Sequence, residues 1–194
     1  MQKNIIISGV GGQGILTMAS IIDLAAMNLG LNVKQAEVHG MSQRGGAVES
    51  HLRISSDEIF SDLIPKGKAD IILSIEPMES LRYLPFLSPD GVIVTATEPY
   101  INITAYPDMQ KLLDTIAAAA NHVFVNADVL AKEAGSAKSY NVVMLGAAAP
   151  YLEIETEELE KAIEMFFSRK GQEMVDMNIK AFRLGLANSV NEQK

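Results

Sequence analysis

The chain of 194 residues has no cysteine, no tryptophan and only three histidines. Without thiols it can form no disulfide, offers no thiolate nucleophile and cannot ligate an iron–sulfur cluster through cysteine. Any redox chemistry must therefore reside in a bound cofactor or in another subunit. The histidines, His39, His51 and His122, have no spacing that suggests a metal site. Basic residues are also few: 16 against 24 acidic, a net charge of -8, with no basic block. This balance argues against a general nucleic-acid binder and against a protein held on an anionic membrane surface. The apolar stretches stay far below membrane-spanning length and no signal peptide is visible, so the expected location is the cytoplasm. No tandem repeat or low-complexity segment stands out.

What is present is ordinary for a globular protein, with 48% hydrophobic and 21% charged residues. The length suits one good core, and a single domain is expected over 1–188 with a tail at 189–194. The organising stretch is Asn4-Ile5-Ile6-Ile7-Ser8, an apolar run that breaks into Gly9-Val10-Gly11-Gly12-Gln13-Gly14. It reads as a buried strand delivered into a helix. Gly9, Gly11 and Gly14 fit G-x-G-x-x-G, a spacing that lets backbone amides cradle a phosphate at a helix start. A glycine turn also serves close packing alone, and spacing does not separate the two. From Gly14 to Asn32 the only charged residue is Asp23. A helix so widely apolar must be covered on more than one side, by its own sheet and, on this reading, by a second protein.

Gly30 supplies a left-handed stop, and Asn32 to Val38 follows as a second strand. The right-handed β-α-β crossover then puts the glycine turn and the segment His39-Gly40-Met41-Ser42-Gln43-Arg44-Gly45-Gly46 at the same edge of the sheet, where open α/β sheets bind ligands. Ala47 to Ile54 alternates, with Val48, Leu52 and Ile54 inward and Glu49, His51 and Arg53 on a wet face. A return strand at Glu58 to Phe60 is expected to pair with it, making the sheet mixed and mostly parallel. Further strands are read at Ala69 to Ile75, Gly91 to Thr95 after a turn at Ser88 to Gly91, and His122 to Asn126. Helices are read at Met78 to Leu84, Asp108 to Ala120, Ala127 to Ala134, Ser139 to Ala149, from a Thr156 cap through Phe167, and from Gln172 to about Asn188. The section Thr97 to Tyr106 is the least regular. Strand and helix alternate throughout, which predicts a three-layer α/β/α sandwich of Rossmann type.

Few residues invite chemistry. Arg44, flanked by two glycines, can present a bidentate fork to a carboxylate or phosphate; the plain alternative is an arginine in a surface loop. His39 can donate a proton or serve as a hydrogen-bonded structural residue. Glu37 stands near the end of the second strand, where a dinucleotide-binding fold keeps its ribose-binding acid. The chain goes on into a glycine-flanked arginine loop and a third strand, however, which favours a structural Glu37 or one turned toward that loop.

The glycine turn, Glu37-Val38-His39-Gly40-Met41-Ser42-Gln43-Arg44-Gly45-Gly46, Ser139 to Ala147 with its N-x-x-x-L-G-A, and the Asn178 to Gly185 segment together resemble the gamma-type subunit of the 2-oxoacid:ferredoxin oxidoreductases. The wording before Arg44 is similar to the indolepyruvate type, and within it the chain resembles the beta subunit. The resemblance implies an accessory subunit of an enzyme that decarboxylates an arylpyruvate, captures the acyl group on coenzyme A and passes electrons to ferredoxin. It also implies that thiamine diphosphate, magnesium and the iron–sulfur clusters sit on a large alpha subunit, with no cofactor held by this chain alone. Gly9, Gly11, Gly12, Gln13, Gly14, Ser42, Gln43, Arg44, Gly45, Gly46 and Asn141 are the residues expected to line the ligand or shared cavity. Arg44 and His39 are the catalytic candidates, and no metal ligand is expected. The alternative is a self-sufficient NAD(P)-binding oxidoreductase in which Glu37 or Arg44 reads the ribose.

Overall fold

The computed structural model describes residues 1–40 and 45–192. Six strands form one sheet: β1 (Gln2–Val10), β2 (Asn32–His39), β3 (Ala47–Ser55), β4 (Ala69–Ser74), β5 (Leu87–Ala96) and β6 (Asn121–Val125), in the order β2-β3-β1-β4-β5-β6. β1, β4, β5 and β6 run parallel, while β3 lies antiparallel between β1 and β2. The sheet is mixed, as expected, but for a different reason. Glu58 to Phe60 is not a strand; β3 pairs with β1 along nine residues instead, from Gln2↔Ser55 to Val10↔Ala47. Both partner edges of β3 are thereby filled, and no ladder is left for a return strand.

Among the described residues seven α-helices join the sheet: α1 (Ile15–Asn28), α2 (Pro77–Arg82), α3 (Met109–Ala119), α4 (Ala127–Ala134), α5 (Tyr140–Ala148), α6 (Thr156–Phe167) and α7 (Gln172–Glu192). On one face the odd isoleucines Ile5 and Ile7 join α1, α5, α6 and the first part of α7 in the larger core. On the other face Ile6, Ile72 and Ile93 pack against Ile64, Tyr83, Leu112 and Ile116. Period-two alternation of an all-apolar strand thus feeds two layers at once, giving the α/β/α arrangement.

The two sides of α1 are mostly covered from within the chain. Its Met18, Ile21, Ile22 and Ala25 lie in the core with Leu159, Ala162 and Ile163 of α6, and only Leu16, Met27 and Leu29 remain exposed among its large apolar side chains and those of its cap. Gly30 takes φ 73° and ends the helix, with Leu31 N–H reaching back to Ala26 O at 3.0 Å, the six-to-one bond of a Schellman stop.

Four other expectations need correction. His51 is buried, not wet: the loop after β3 folds over it, Ile64 N–H donates to its Nδ1 at 3.0 Å, and Phe86 meets its ring edge-on. The Ser88 to Gly91 turn lies inside β5, where the register against β4 jumps from Ala69↔Leu87 to Ile71↔Val92. Glu155 is the cap position of α6, with Thr156 its first helical residue and no side-chain bond there. Finally, α7 continues past Asn188 to Glu192, with Ser189 fully buried.

The glycine turn and its clamp

The turn after β1 is held from three directions. Gly11 N–H donates to Gly46 O at 2.9 Å, and Gly45 N–H donates to Gly11 O at 3.3 Å. These bonds extend the β1–β3 ladder beyond Val10↔Ala47 and bring the last residues of the 39–46 segment onto the turn. Gln13 closes it from within, its Oε1 accepting from Val10 N–H at 2.7 Å while its own N–H donates to Val10 O at 3.1 Å. From α5, 127 positions away, Tyr140 Oη donates to Gln13 O at 2.7 Å and Asn141 Nδ2 to Gly14 O at 3.4 Å.

The glycines differ in what they do. Gly14 is the left-handed cap of α1 at φ 77° and ψ 28°, and a Cβ there would lie 2.6 Å from Asn141 Nδ2. Gly12 has φ 105° with open space around it, so its requirement is conformational and not steric. Gly9 is buried beneath Gln13 and Ile75. The first turn of α1 carries neither an acidic residue nor a side-chain cap, which leaves its amide dipoles without a side-chain acceptor among the described residues.

Two hollows flank the turn. One, of 490 Å³, runs from Val10–Leu16 to Glu37, His39 and Val48. The other, of 330 Å³, lies between Gly11, Gly12 and Gln13 on one side and Glu98, Pro99, Tyr100, Asp128 and Tyr140 on the other. A larger, open hollow of 1570 Å³ lies at the opposite edge of the sheet, lined by Lys3, Arg53, Asp90 and Glu153 among others, and is remote from every candidate residue. Glu37 and His39 are exposed, and His39 Nδ1 lies 2.9 Å from Gly40 O. Asn141 is buried, its Oδ1 accepting from Val142 N–H at 2.9 Å. Met41, Ser42, Gln43 and Arg44 lie outside the described residues.

Sequence reasoning passed over several residues of this edge. Tyr140 is one; burial pushes its phenol up to about 12, with Asp128 adding to the effect, so it remains a neutral donor. Asn102 donates from Nδ2 to Gly45 O at 2.6 Å. Glu98 accepts from Ala127 N–H at 3.2 Å and Thr97 Oγ1 at 3.0 Å, and burial raises its pKa. Tyr106 Oη donates to the fully buried Glu76, which also caps α2 by accepting from Glu79 N–H at 2.9 Å. Glu98, Asn102 and Tyr106 come from the irregular stretch 97–106, where no periodicity announces them. A second missed feature lies under Tyr140 and Asn141. A Cβ on Gly146 of α5 would overlap Phe182 O of α7, and one on Gly185 would overlap Val143 O. The two glycines let the helix backbones touch.

Residues 4–188 match the family described as pyruvate ferredoxin/flavodoxin oxidoreductase. The chain belongs to that family. It is 39% identical over 200 residues to the indolepyruvate oxidoreductase subunit IorB of Archaeoglobus fulgidus, covering 98% of this chain and 97% of that one. Among solved structures it is similar to the gamma subunit of a keto/oxoacid ferredoxin oxidoreductase from Geobacter sulfurreducens PCA, with a TM-score of 0.73 and 26% identity over 97% of this chain and 99% of that one. The same fold occurs in the 2-oxoglutarate:ferredoxin oxidoreductase of Magnetococcus marinus, solved with 2-oxoglutarate, coenzyme A and succinyl-CoA bound. There the TM-score is 0.79 at 23% identity, over 98% of this chain but only 31% of that chain. Among the described residues no helix is long and apolar enough to cross a membrane.

Proposed function

We propose that this chain is the small subunit of an indolepyruvate or arylpyruvate:ferredoxin oxidoreductase, and that its glycine-turn edge forms one wall of the cavity in which the 2-oxoacid is decarboxylated and the acyl group passes to coenzyme A. The end-to-end likeness to a curated indolepyruvate oxidoreductase subunit carries this reading. Thiamine diphosphate, magnesium and the clusters belong on this reading to a separate large subunit, and ferredoxin is reached through the complex. The chemistry of this chain agrees with that division, because a protein with no cysteine cannot hold a cluster in the usual thiolate cage. What the chain supplies is shape and hydrogen bonding: amides of the glycine turn, held by Tyr140, Asn141 and Gln13, and the segment carrying Arg44 as the anion-binding candidate. As a domain the chain spans 1–188 in this proposal.

The test is reconstitution. The purified chain alone should show no arylpyruvate-dependent reduction of ferredoxin or a dye, and activity should appear when the thiamine- and cluster-bearing large subunit is added. Turnover by the isolated chain, or micromolar binding of a nicotinamide cofactor without any partner, would overturn the reading in favour of a self-sufficient dehydrogenase.

A further inference from the structure

The chain changes its direction of growth across the sheet next to β1. It runs from β1 to β2 and β3 on one side, then returns to β4, β5 and β6 on the other. α1 accordingly packs on the face of Ile5 and Ile7, while Met78 and Leu81 of α2 pack on that of Ile6. Between β1 and β4 the connections thus leave in opposite directions, and the carboxyl ends of these strands open a crevice of the kind in which α/β sheets hold ligands. The 330 Å³ hollow lies there, lined by the turn after β1, by Ile75 after β4 and by Ala96 to Tyr100 at the end of β5. Its size is at the lower end of the range of about 300–1,000 Å³ for small-molecule sites.

The walls of this hollow are of two kinds. Ile75, Ala96, Pro99, Tyr100 and Ala127 supply apolar surface, and Glu98 and Asp128 supply carboxylates. Asp128 and Tyr100 are exposed, whereas Glu98 is half-buried. Glu98 accepts from Thr97 Oγ1 on one oxygen and from Ala127 N–H on the other. A carboxylate has about four acceptor positions, so room is left for a further donor. Burial raises its pKa, because the donors it has do not make up for the water it has lost. The hollow is shaped in advance: Thr97 N–H donates to Val125 O at 3.0 Å, and Tyr140 Oη to Gln13 O at 2.7 Å. Two carboxylates in its wall repel the phosphates of coenzyme A and the carboxylate of a 2-oxoacid. What suits these walls is the other end of the proposed substrate, a flat apolar ring with a hydrogen-bond donor on its edge.

Building on the function proposed above, we infer that this hollow receives the aromatic ring of the 2-oxoacid and that Glu98 accepts the ring N–H, which makes Glu98 a specificity-determining residue for an indole side chain. The 2-oxoacid end is left outside the hollow, where the thiamine-bearing subunit of the proposed enzyme meets it. A phenyl ring fills the same apolar walls but brings Glu98 no donor. A site built around a ring N–H rejects such a ring through the carboxylate left unmet.

The experiment measures kcat/KM of the reconstituted enzyme for indolepyruvate, for its ring-N-methyl form and for phenylpyruvate, the last two having no ring donor. The parent should prefer indolepyruvate about 10- to 100-fold over either, the scale of a hydrogen bond to a charged group. Glu98→Ala should bring both ratios near one by lowering kcat/KM for indolepyruvate, whereas Glu98→Gln, which keeps an acceptor, should retain part of the preference. Because each ratio is taken within one preparation, partial loss of folding or assembly does not move it. Equal kcat/KM for the three substrates in the parent, or a preference that Glu98→Ala leaves intact, overturns the ring site and leaves the proposed function standing. A raised KM for coenzyme A in Glu98→Ala with the preference intact does the same and gives the hollow to the adenine instead. A parent enzyme that turns over no arylpyruvate overturns both.

Discussion

Asn141 stands with its Nδ2 2.6 Å from the point that a Cβ on Gly14 would occupy, although 127 positions separate the two residues. Gly14 is also at φ 77°, so a side chain there meets two independent penalties: a left-handed backbone and an occupied space. Gly14→Ala should cost about 1–3 kcal/mol of unfolding free energy, the usual scale for a non-glycine residue held in a sparsely populated region. Because the neighbour is a flexible side chain, Asn141→Ala in the same chain should return part of that loss. A double-mutant cycle by denaturant unfolding measures the coupling, and zero coupling would mean that the strain is wholly backbone.

The crossing of α5 and α7 is less forgiving. At Gly146 and Gly185 the obstacle is a carbonyl of the other helix, Phe182 O and Val143 O, and backbone cannot step aside as an amide side chain can. Gly146→Ala or Gly185→Ala should push the helices apart and destabilise by about 3 kcal/mol or more, at the upper end of overpacking. Since α5 also carries Tyr140 and Asn141, the displaced helix should loosen the glycine turn. Amide hydrogen exchange would show this as faster exchange at Gly11 and Gln13, both of which donate from N–H within the turn.

Asp23 makes stability depend on pH. It is the one charged residue of α1, its Oδ1 is buried with no hydrogen-bond partner among the described residues, and burial raises its pKa from 3.8 to about 7. The folded state therefore holds a proton that the unfolded state releases near pH 4, so this group costs stability increasingly as pH rises from about 4 to about 7, and fully above that. The whole shift corresponds to about 4 kcal/mol at 1.36 kcal/mol per unit. Asp23 is only half-buried, and solvent screening reduces this to about 1–2 kcal/mol. Asp23→Asn should stabilise the chain by that amount at pH 8 and not at pH 4, by urea unfolding at both. Equal effects at the two pH values would mean that the carboxylate is not strained by its burial.

β1, β4 and β5 were legible because their runs of isoleucine, leucine and valine suit a sheet covered on both faces, and the glycine turn because only a few residue types tolerate its angles. Nothing local to Ala47–Ser55 announces that it inserts antiparallel between β1 and β2, since that choice rests on pairing across the whole sheet. His51 was misplaced for a related reason: alternation tells which residues share a face of β3, and not that Ile64 and Phe86 will cover that face. At the candidate site, the turn and Asn141 stood out in the sequence, while Tyr140, Glu98, Asn102 and Tyr106 did not. Their positions depend on an irregular segment and on a helix crossing set by glycines far along the chain.

The last prediction concerns Arg44, which lies outside the described residues but directly before Gly45, whose N–H and carbonyl are bonded to Gly11 and Asn102. Gly45 is thus tied to the glycine turn and to the 97–106 segment. The anions brought by the proposed reaction are the 2-oxoacid carboxylate and the phosphates of coenzyme A, and a guanidinium fork suits either. Arg44→Lys keeps the charge and loses the fork, a loss of about 1–3 kcal/mol for a charge-assisted contact. In the reconstituted enzyme this is a fall of about 5- to 150-fold in kcat/KM for whichever anion it holds. Titrating the 2-oxoacid at saturating coenzyme A, and then the reverse, assigns the contact by which kcat/KM falls. If Arg44 instead joins the subunits, Arg44→Ala should raise the Kd of assembly while the complex that does form keeps parental kinetics. Parental assembly together with parental kcat/KM for both substrates would leave Arg44 as a surface residue with no part in the cavity.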